Sequence, residues 1–224
     1  MQSIRLPKRH PQNTNLRLHY ESQYNGLPVM HQHAPLIREY LQALQRITER
    51  SLADHREVFA VRFDLRLPDV EFTPWHWMTN EVVSRFVEYL EDRIQAARKK
   101  AAIGNAKAHK TTVRWMWVKE YGDESGQMKP HYHCLLLLNR DAFNALGKFE
   151  LGRDNLYSRL VGAWASALGV EGWQAMGLVQ IPENACYSIT AEGYSAYFYR
   201  MSYLCKARSK VYGDGQHACG YSRE

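Results

Sequence analysis

A chain of 224 residues, 45% of them hydrophobic and 12% aromatic, can bury a substantial core, which excludes a globally disordered protein. No apolar run approaches the roughly 18 residues that a membrane span needs, so no membrane partner is expected. The formal net charge of +6 leans toward an acidic partner such as nucleic acid. The four cysteines, Cys134, Cys186, Cys205 and Cys219, form no CxxC pair, and with no signal peptide ahead of them they are expected to be reduced thiols in a cytoplasmic protein.

Residues 1–33 lack periodicity and hold NTN, NGLP and HQH, so a loosely ordered lead-in is expected, beginning in the short basic arm MQSIRLPKRH. From Pro35 to about Ala53, Leu36, Ile37, Tyr40, Leu41, Leu44 and Ile47 recur at helical spacing. EVFAVRFDLRLP (57–68) alternates as a strand does: Phe59, Val61, Phe63 and Leu65 face one way, and Arg62, Asp64 and Arg66 the other. Residues 79–101 read as a long amphipathic helix with Thr79 or Asn80 as its N-cap and lysines at its C-terminal end. TVRWMWVKEY (112–121) and HYHCLLLLN (131–139) read as two strands joined by the hairpin loop GDESGQMK. Consecutive leucines place the second of them centrally in its sheet, with both faces covered. Residues 155–168 predict a helix, GLVQI (177–181) and CYSIT (186–190) two short strands or one interrupted hairpin, and 193–210 a tyrosine-rich helix before a tail over 211–224. The order predicts one α+β domain over 34–210: an antiparallel sheet, helices mainly on one face, and an added N-terminal helix.

The chemistry gathers at KPHYHCLLLLN. His131 and His133 project from one face of their strand, so their rings can converge on one ion, while Tyr132 and Cys134 point the other way. A third ligand has to come from a neighbouring strand. Glu120 lies near the loop end of the preceding strand and Asp64 on the charged face of the first; the choice depends on a register that the sequence leaves open. Two imidazoles and a carboxylate with open positions suit a divalent ion that also grips a substrate oxygen. Two hydrogen-bonded histidines account for the same spacing, and a second pair, His31 and His33, sits in an aperiodic segment and is read as surface. On the last helix Tyr199, Tyr203, Lys206 and Lys210 recur on one face. A lysine beside Tyr203 favours the phenolate and can neutralise a phosphate. Tyr194, Tyr197 and Phe198 are expected in the core.

In the order VFAVRFDLRLP, KPHYHCLLLLN, SYLCK, the chain resembles the HUH endonucleases from about Asn25 to Lys210, and most fully the small rolling-circle replication proteins of filamentous phages and related prophages. The resemblance implies a ferredoxin- or RRM-like core, His131 and His133 as metal ligands with Glu120 as the third, Mg²⁺ or Mn²⁺ as the ion, Tyr203 as nucleophile and Lys206 as its helper. Tyr199 is a second candidate nucleophile, as in two-tyrosine relatives, and Asp64 an alternative ligand. It implies nicking and rejoining of single-stranded or supercoiled DNA at a replication origin through a 5′-phosphotyrosine link. No GxxxxGK[ST] loop is present, so helicase and polymerase are expected from other proteins. Arg62, Arg66, Arg114, Lys99, Lys100, Lys107, Lys110, Arg208 and Lys210 are expected to meet phosphates. Three other readings remain at this point. One is a mobilisation relaxase or tyrosine transposase using the same site. Another is a non-enzymatic nucleic-acid binder presenting Trp115, Trp117 and Tyr132 to bases. The third is a structural zinc protein drawing on His131, His133, Cys205, His217 or Cys219.

Overall fold

The computed structural model describes residues 6–122 and 129–223. Structure begins early. β1 (Arg9–His10) and β2 (Asn13–His19) pair antiparallel, β3 (Gln23–Tyr24) and β4 (Leu27–Pro28) close a tight hairpin, and β5 (Leu36–Ile37) pairs with β2. The hairpin turns on Asn25 and Gly26, both at positive φ (48° and 78°), the conformation that an Asn–Gly pair adopts at least cost. Leu16, Leu18, Tyr24 and Val29 are buried. The loosely ordered lead-in expected for residues 1–33 is therefore corrected over its described part: these strands are built into the core, but β1, β3 and β4 are two residues long and β2, NTNLRLH, has apolar side chains only at Leu16 and Leu18.

α1 (Arg38–Asp54) buries Tyr40, Leu41, Leu44 and Ile47 and starts later than Pro35, because Leu36 and Ile37 are taken up by β2. β6 (Val58–Leu65) follows, then α2 (Asn80–Gly104), whose N-cap Thr79 accepts the Glu81 N–H. β7 (Arg114–Tyr121) and β8 (Pro130–Asn139) pair antiparallel as expected; residues 123–128 of the loop GDESGQMK lie outside the described residues. α3 (Leu156–Leu168) is capped by Asn155 and ended by Gly169 at φ 72°, and α4 (Gly172–Ala175) is a single turn. β9 (Val179–Gln180) and β10 (Cys186–Ile189) do not pair with each other; both lie along the same edge of β6. α5 (Tyr194–Met201) runs into a 3₁₀ turn over Ser202–Cys205 and stops, with Lys206 extended and bridged to Leu36. The helix expected to reach Lys210 is thus corrected. Tyr199, Tyr203, Lys206 and Lys210 do not share one helical face. The tail supplies β11 (Cys219–Tyr221), an edge strand on β7, where a Cβ at Gly220 would come within 2.5 Å of the Trp117 indole.

The main sheet runs β10–β6–β8–β7–β11 and its pairings are antiparallel. β8 is its middle strand, as the leucine run predicts. Leu136 and Leu138, with Phe59, Val61, Phe63 and Tyr132, pack under α2 and α3. Leu135 and Leu137, with Val58, Ala60, Met116 and Val118, pack under α1 and α5. Each buried leucine contributes about 1.5–3 kcal/mol, and the alternation forces two to each side. Helices therefore cover both faces, which corrects the expectation of one. The α+β class with its antiparallel sheet stands. Among the described residues no helix is long and apolar enough to cross a membrane.

Candidate metal and tyrosine site

Residues directly opposed across two strands share a face. Glu120 opposes His131, and Asp64 opposes His133. Both carboxylates therefore stand on the imidazole face, and distance separates their roles. Ligand atoms of Glu120, His131 and His133 lie within 4.8 Å of one another, and all three residues are buried. Asp64 sits behind the pair: its Oδ1 is 2.7 Å from His133 Nδ1. A carboxylate there favours the tautomer with the proton on Nδ1 and leaves Nε2 facing Glu120, whose Oε2 is 3.4 Å away.

His131 Nδ1 is buried with no hydrogen-bond partner among the described residues, an uncommon state for a polar atom in a folded protein. Burial, helped by His133 and Arg66, pulls the His131 pKa down to about 4, so the ring is neutral at physiological pH. A neutral imidazole with an unpartnered nitrogen beside a second imidazole and a carboxylate fits a divalent cation. The lowered pKa also has a consequence for metal-free protein. Between about pH 6.5 and 4 the unfolded chain takes up a proton at His131 that the folded state refuses, so stability must fall as pH falls through that window. The expected loss is about 3 kcal/mol at most. Urea unfolding in EDTA at pH 7 and pH 4.5 measures it, and His131→Gln should flatten that part of the slope.

Glu120 is held from the other side by two ammonium groups. Lys210 Nζ lies 2.7 Å from Oε1 and Lys206 Nζ 3.0 Å from Oε2. Burial alone would raise the Glu120 pKa; His133 and Lys210 outweigh it, and the carboxyl stays well below the usual carboxylate range. Ser209 also donates to Oε2, at 2.8 Å, from a backbone at φ 71°. That left-handed conformation is unfavourable for serine, and the contact shows what it is held for.

Lys206 also reaches Tyr203. Its Nζ donates to the phenol oxygen at 2.8 Å, so one ammonium joins the tyrosine to the carboxylate of the Glu120–His131–His133 group. The Tyr203 ring is fixed on several sides. The Arg62 guanidinium lies 4.9 Å from its centroid, the His33 ring packs edge-on at 4.9 Å, and the His133 ring stands 6.0 Å away. Tyr203, His131, His133, Glu120 and Lys206 all line one open cleft of about 810 Å³, joined by Arg66, Lys129 and Arg208. The Tyr203–Lys206 contact expected from an unbroken helix is real, yet it arises from a 3₁₀ turn and a bend.

The remaining candidates scatter. Tyr199 is half-buried, accepts a hydrogen bond from Gln32 Nε2 at 3.0 Å, and does not line the cleft. Lys210 is withdrawn onto Glu120 rather than presented to a phosphate. Arg114 sits at the far end of β7, paired with Asp54 at 2.5 Å. Lys99, Lys100, Lys107 and Lys110 are exposed, but the Lys110 carbonyl accepts from Asn139, the residue at the other end of β8 from the histidines. Eight residues of strand separate Asn139 from His131, about 26 Å. Trp117 and Tyr132 are buried under the α2–α3 layer, so they do not present a stacking face. Among the described residues, Glu120, His131 and His133 are the one group of three ligand-type side chains within reach of a common ion, and Cys205, His217 and Cys219 are not in it. His33, expected at the surface, instead packs its ring edge-on against Tyr203, with its pKa lowered by burial and by Lys206. Its only trace in the sequence is that HQH repeats the HxH spacing.

The YagK/YfjJ C-terminal domain family matches residues 19–222. The uncharacterized protein YagK of Escherichia coli (strain K12) is 32% identical over 202 residues, covering 85% of this chain and 95% of YagK. The uncharacterized protein YfjJ of the same strain is 30% identical over 199 residues, covering 82% and 93%. Among solved structures, the N-terminal nuclease domain of minute virus of mice non-structural protein 1 matches over 82% of this chain and 78% of its own, at 14% identity and a TM-score of 0.28, too low to bear on mechanism.

Proposed function

This chain belongs to the YagK/YfjJ C-terminal domain family, and from its site we propose metal-dependent nicking and rejoining of single-stranded DNA through a link to Tyr203. The observation that carries the reading is the Tyr203 phenol, bonded to Lys206 at 2.8 Å and facing the Glu120–His131–His133 cluster in one cleft. The motif order, which resembles that of the HUH endonucleases, supports the same reading.

A divalent ion, Mg²⁺ or Mn²⁺, held by Glu120, His131 and His133 supplies Lewis-acid polarisation of the scissile phosphate. The protein does the rest. Asp64 holds the His133 ring in orientation. The Lys206 ammonium stabilises the phenolate of Tyr203 and offers charge to the phosphate. Arg62 and His33 keep the tyrosine ring in place, so little orientation is left to find in the transition state. The phenolate oxygen attacks phosphorus and the bond to the 3′-oxygen breaks. The products are a 5′-phosphotyrosine and a free 3′-OH, and the proton released by the phenol balances the one gained by the 3′-oxygen. The reverse attack by a 3′-OH rejoins the strand. Arg66 and Arg208, at the cleft, grip neighbouring phosphates. A 3′-OH that primes synthesis fits initiation of rolling-circle replication of a phage, prophage or plasmid, with helicase and polymerase supplied by other proteins.

The test is a covalent adduct. A pool of labelled single-stranded oligonucleotides tiling the DNA around the gene, incubated with Mn²⁺, should give a protease-sensitive slow band on a denaturing gel, and EDTA should prevent it. No adduct across the whole pool with Mg²⁺ or Mn²⁺ sinks the reading.

A further inference from the structure

Phe72 is 83% exposed, Trp75 74% and Trp173 71%, more than any other phenylalanine or tryptophan among the described residues. They come from two segments that each contribute other residues to the cleft. Leu67 and Asp69 line the cleft, and the chain runs on from them to Phe72 and Trp75. Gly177 and Leu178 line it too, and the chain reaches them from Trp173. The two segments are fastened together. The Arg66 N–H donates to the Leu178 carbonyl at 2.8 Å, β9 pairs with Asp64 and Leu65, and the Trp77 indole N–H donates to the Leu168 carbonyl at 3.1 Å.

The same region shows what its aromatic residues do when they serve the fold. Trp77 and Trp164 are buried, and each spends its indole N–H on a backbone carbonyl, of Leu168 and of Arg66. Trp75 and Trp173 lie outside that packing. Their segments supply Leu67, Asp69, Gly177 and Leu178 to a cleft that Arg66, Lys129, Lys206 and Arg208 also line.

We propose that Phe72, Trp75 and Trp173 form a base-stacking rim for an unpaired nucleic-acid strand whose phosphates lie in the cleft; the identity of the strand as the nicked substrate rests on the function proposed above. The combination selects this occupant. A single strand carries a flat π-face beside every phosphate, so it needs cations and aromatic surfaces side by side. A duplex keeps its bases stacked on each other and has no faces to offer. A second copy of this chain brings the same net charge of +6, which opposes association. The rim adds affinity without reading sequence, because every base has a π-face.

Fluorescence anisotropy of labelled oligo(dT) in EDTA tests the rim, with the full chain, under conditions where no cleavage occurs. The variant F72A/W75A/W173A should bind oligo(dT) at least about tenfold more weakly than wild type, since one base–aromatic stack alone accounts for that much. Trp75→Phe, which keeps a ring, should stay near wild type, and binding of a blunt duplex should not change. Circular dichroism and the melting temperature check that the triple variant is folded. Equal oligo(dT) binding by wild type and the triple variant overturns the proposal, and so does a wild type that fails to bind oligo(dT). A wild type that sediments as a dimer while the triple variant is monomeric overturns it as well, and assigns the rim to self-association. If the triple variant loses oligo(dT) binding but no adduct ever forms with any oligonucleotide, the rim stands and nicking falls. If adducts form and the triple variant binds as wild type does, the rim alone falls.

Discussion

Tyr203→Phe should abolish the covalent DNA adduct and slow strand cleavage on the order of 10⁴-fold or more, because removing a nucleophile removes the covalent route itself. The fold should barely notice. The ring contacts with Arg62, His33 and His133 survive in phenylalanine, and among the described residues the hydroxyl's hydrogen-bond partner is Lys206. Lys206 is not orphaned by the change, since it keeps Glu120 at 3.0 Å. The stability cost is therefore that of one hydrogen bond, about 1 kcal/mol. Binding of Mn²⁺ and of oligonucleotide should stay close to wild type. Tyr199→Phe is the matched control: it removes a single contact to Gln32 and should leave adduct formation intact. Mass spectrometry of the adduct peptide decides the assignment, and a link on Tyr199 or Tyr197 would overturn it.

Glu120→Ala should be among the most damaging changes to stability, about 3–5 kcal/mol in metal-free protein, because it leaves a buried charge without its partner. Lys210 is buried with its ammonium 2.7 Å from Glu120, and burial already pulls its pKa down against that attraction. Lys206 and His133 lose the same carboxylate. Adding Lys210→Met to Glu120→Ala should recover part of the loss, since the stranded ammonium is then gone. Urea unfolding of the two variants in EDTA measures both values. A cost below about 1 kcal/mol for Glu120→Ala would mean that water reaches Lys210 freely. One practical consequence follows. Lost nicking in Glu120→Ala does not by itself identify a metal ligand, because the cluster collapses with it. His131→Ala, which strands no charge, is the cleaner probe of the ion.

Several features of this site were legible before any fold was known, and all of them rest on neighbours in the chain. Alternation along residues 131–138 put His131 and His133 on one face, and four leucines in a row required cover on both sides. Thr79 marks a helix start by its own side-chain chemistry. A period of two or of 3.6 residues is a local property of the backbone, so a few residues suffice to show it.

What the sequence could not supply is whatever depends on which distant segments meet. Glu120 stood first and Asp64 as its alternative until register and packing set Glu120 within 4.8 Å of both imidazoles and Asp64 against His133 Nδ1. His33 reaches Tyr203 from a segment in which β1, β3 and β4 are two residues long and β2 has apolar side chains only at Leu16 and Leu18, so no alternation stands out. Lys210 was expected on a helical face toward DNA. The bend after Cys205 turns it inward to Glu120, a gain in ion pairing that no helix propensity foresees. The basic stretch at 99–110 has the composition of a phosphate contact, yet the length of β8 carries it away from the site. The two histidines, their strand and the nearness of Tyr203 to Lys206 follow from neighbours along the chain. Which carboxylate, which lysines and which aromatic residues surround them follows from how remote segments pack. Register and packing are sums over contacts between remote segments, and no local period encodes those sums.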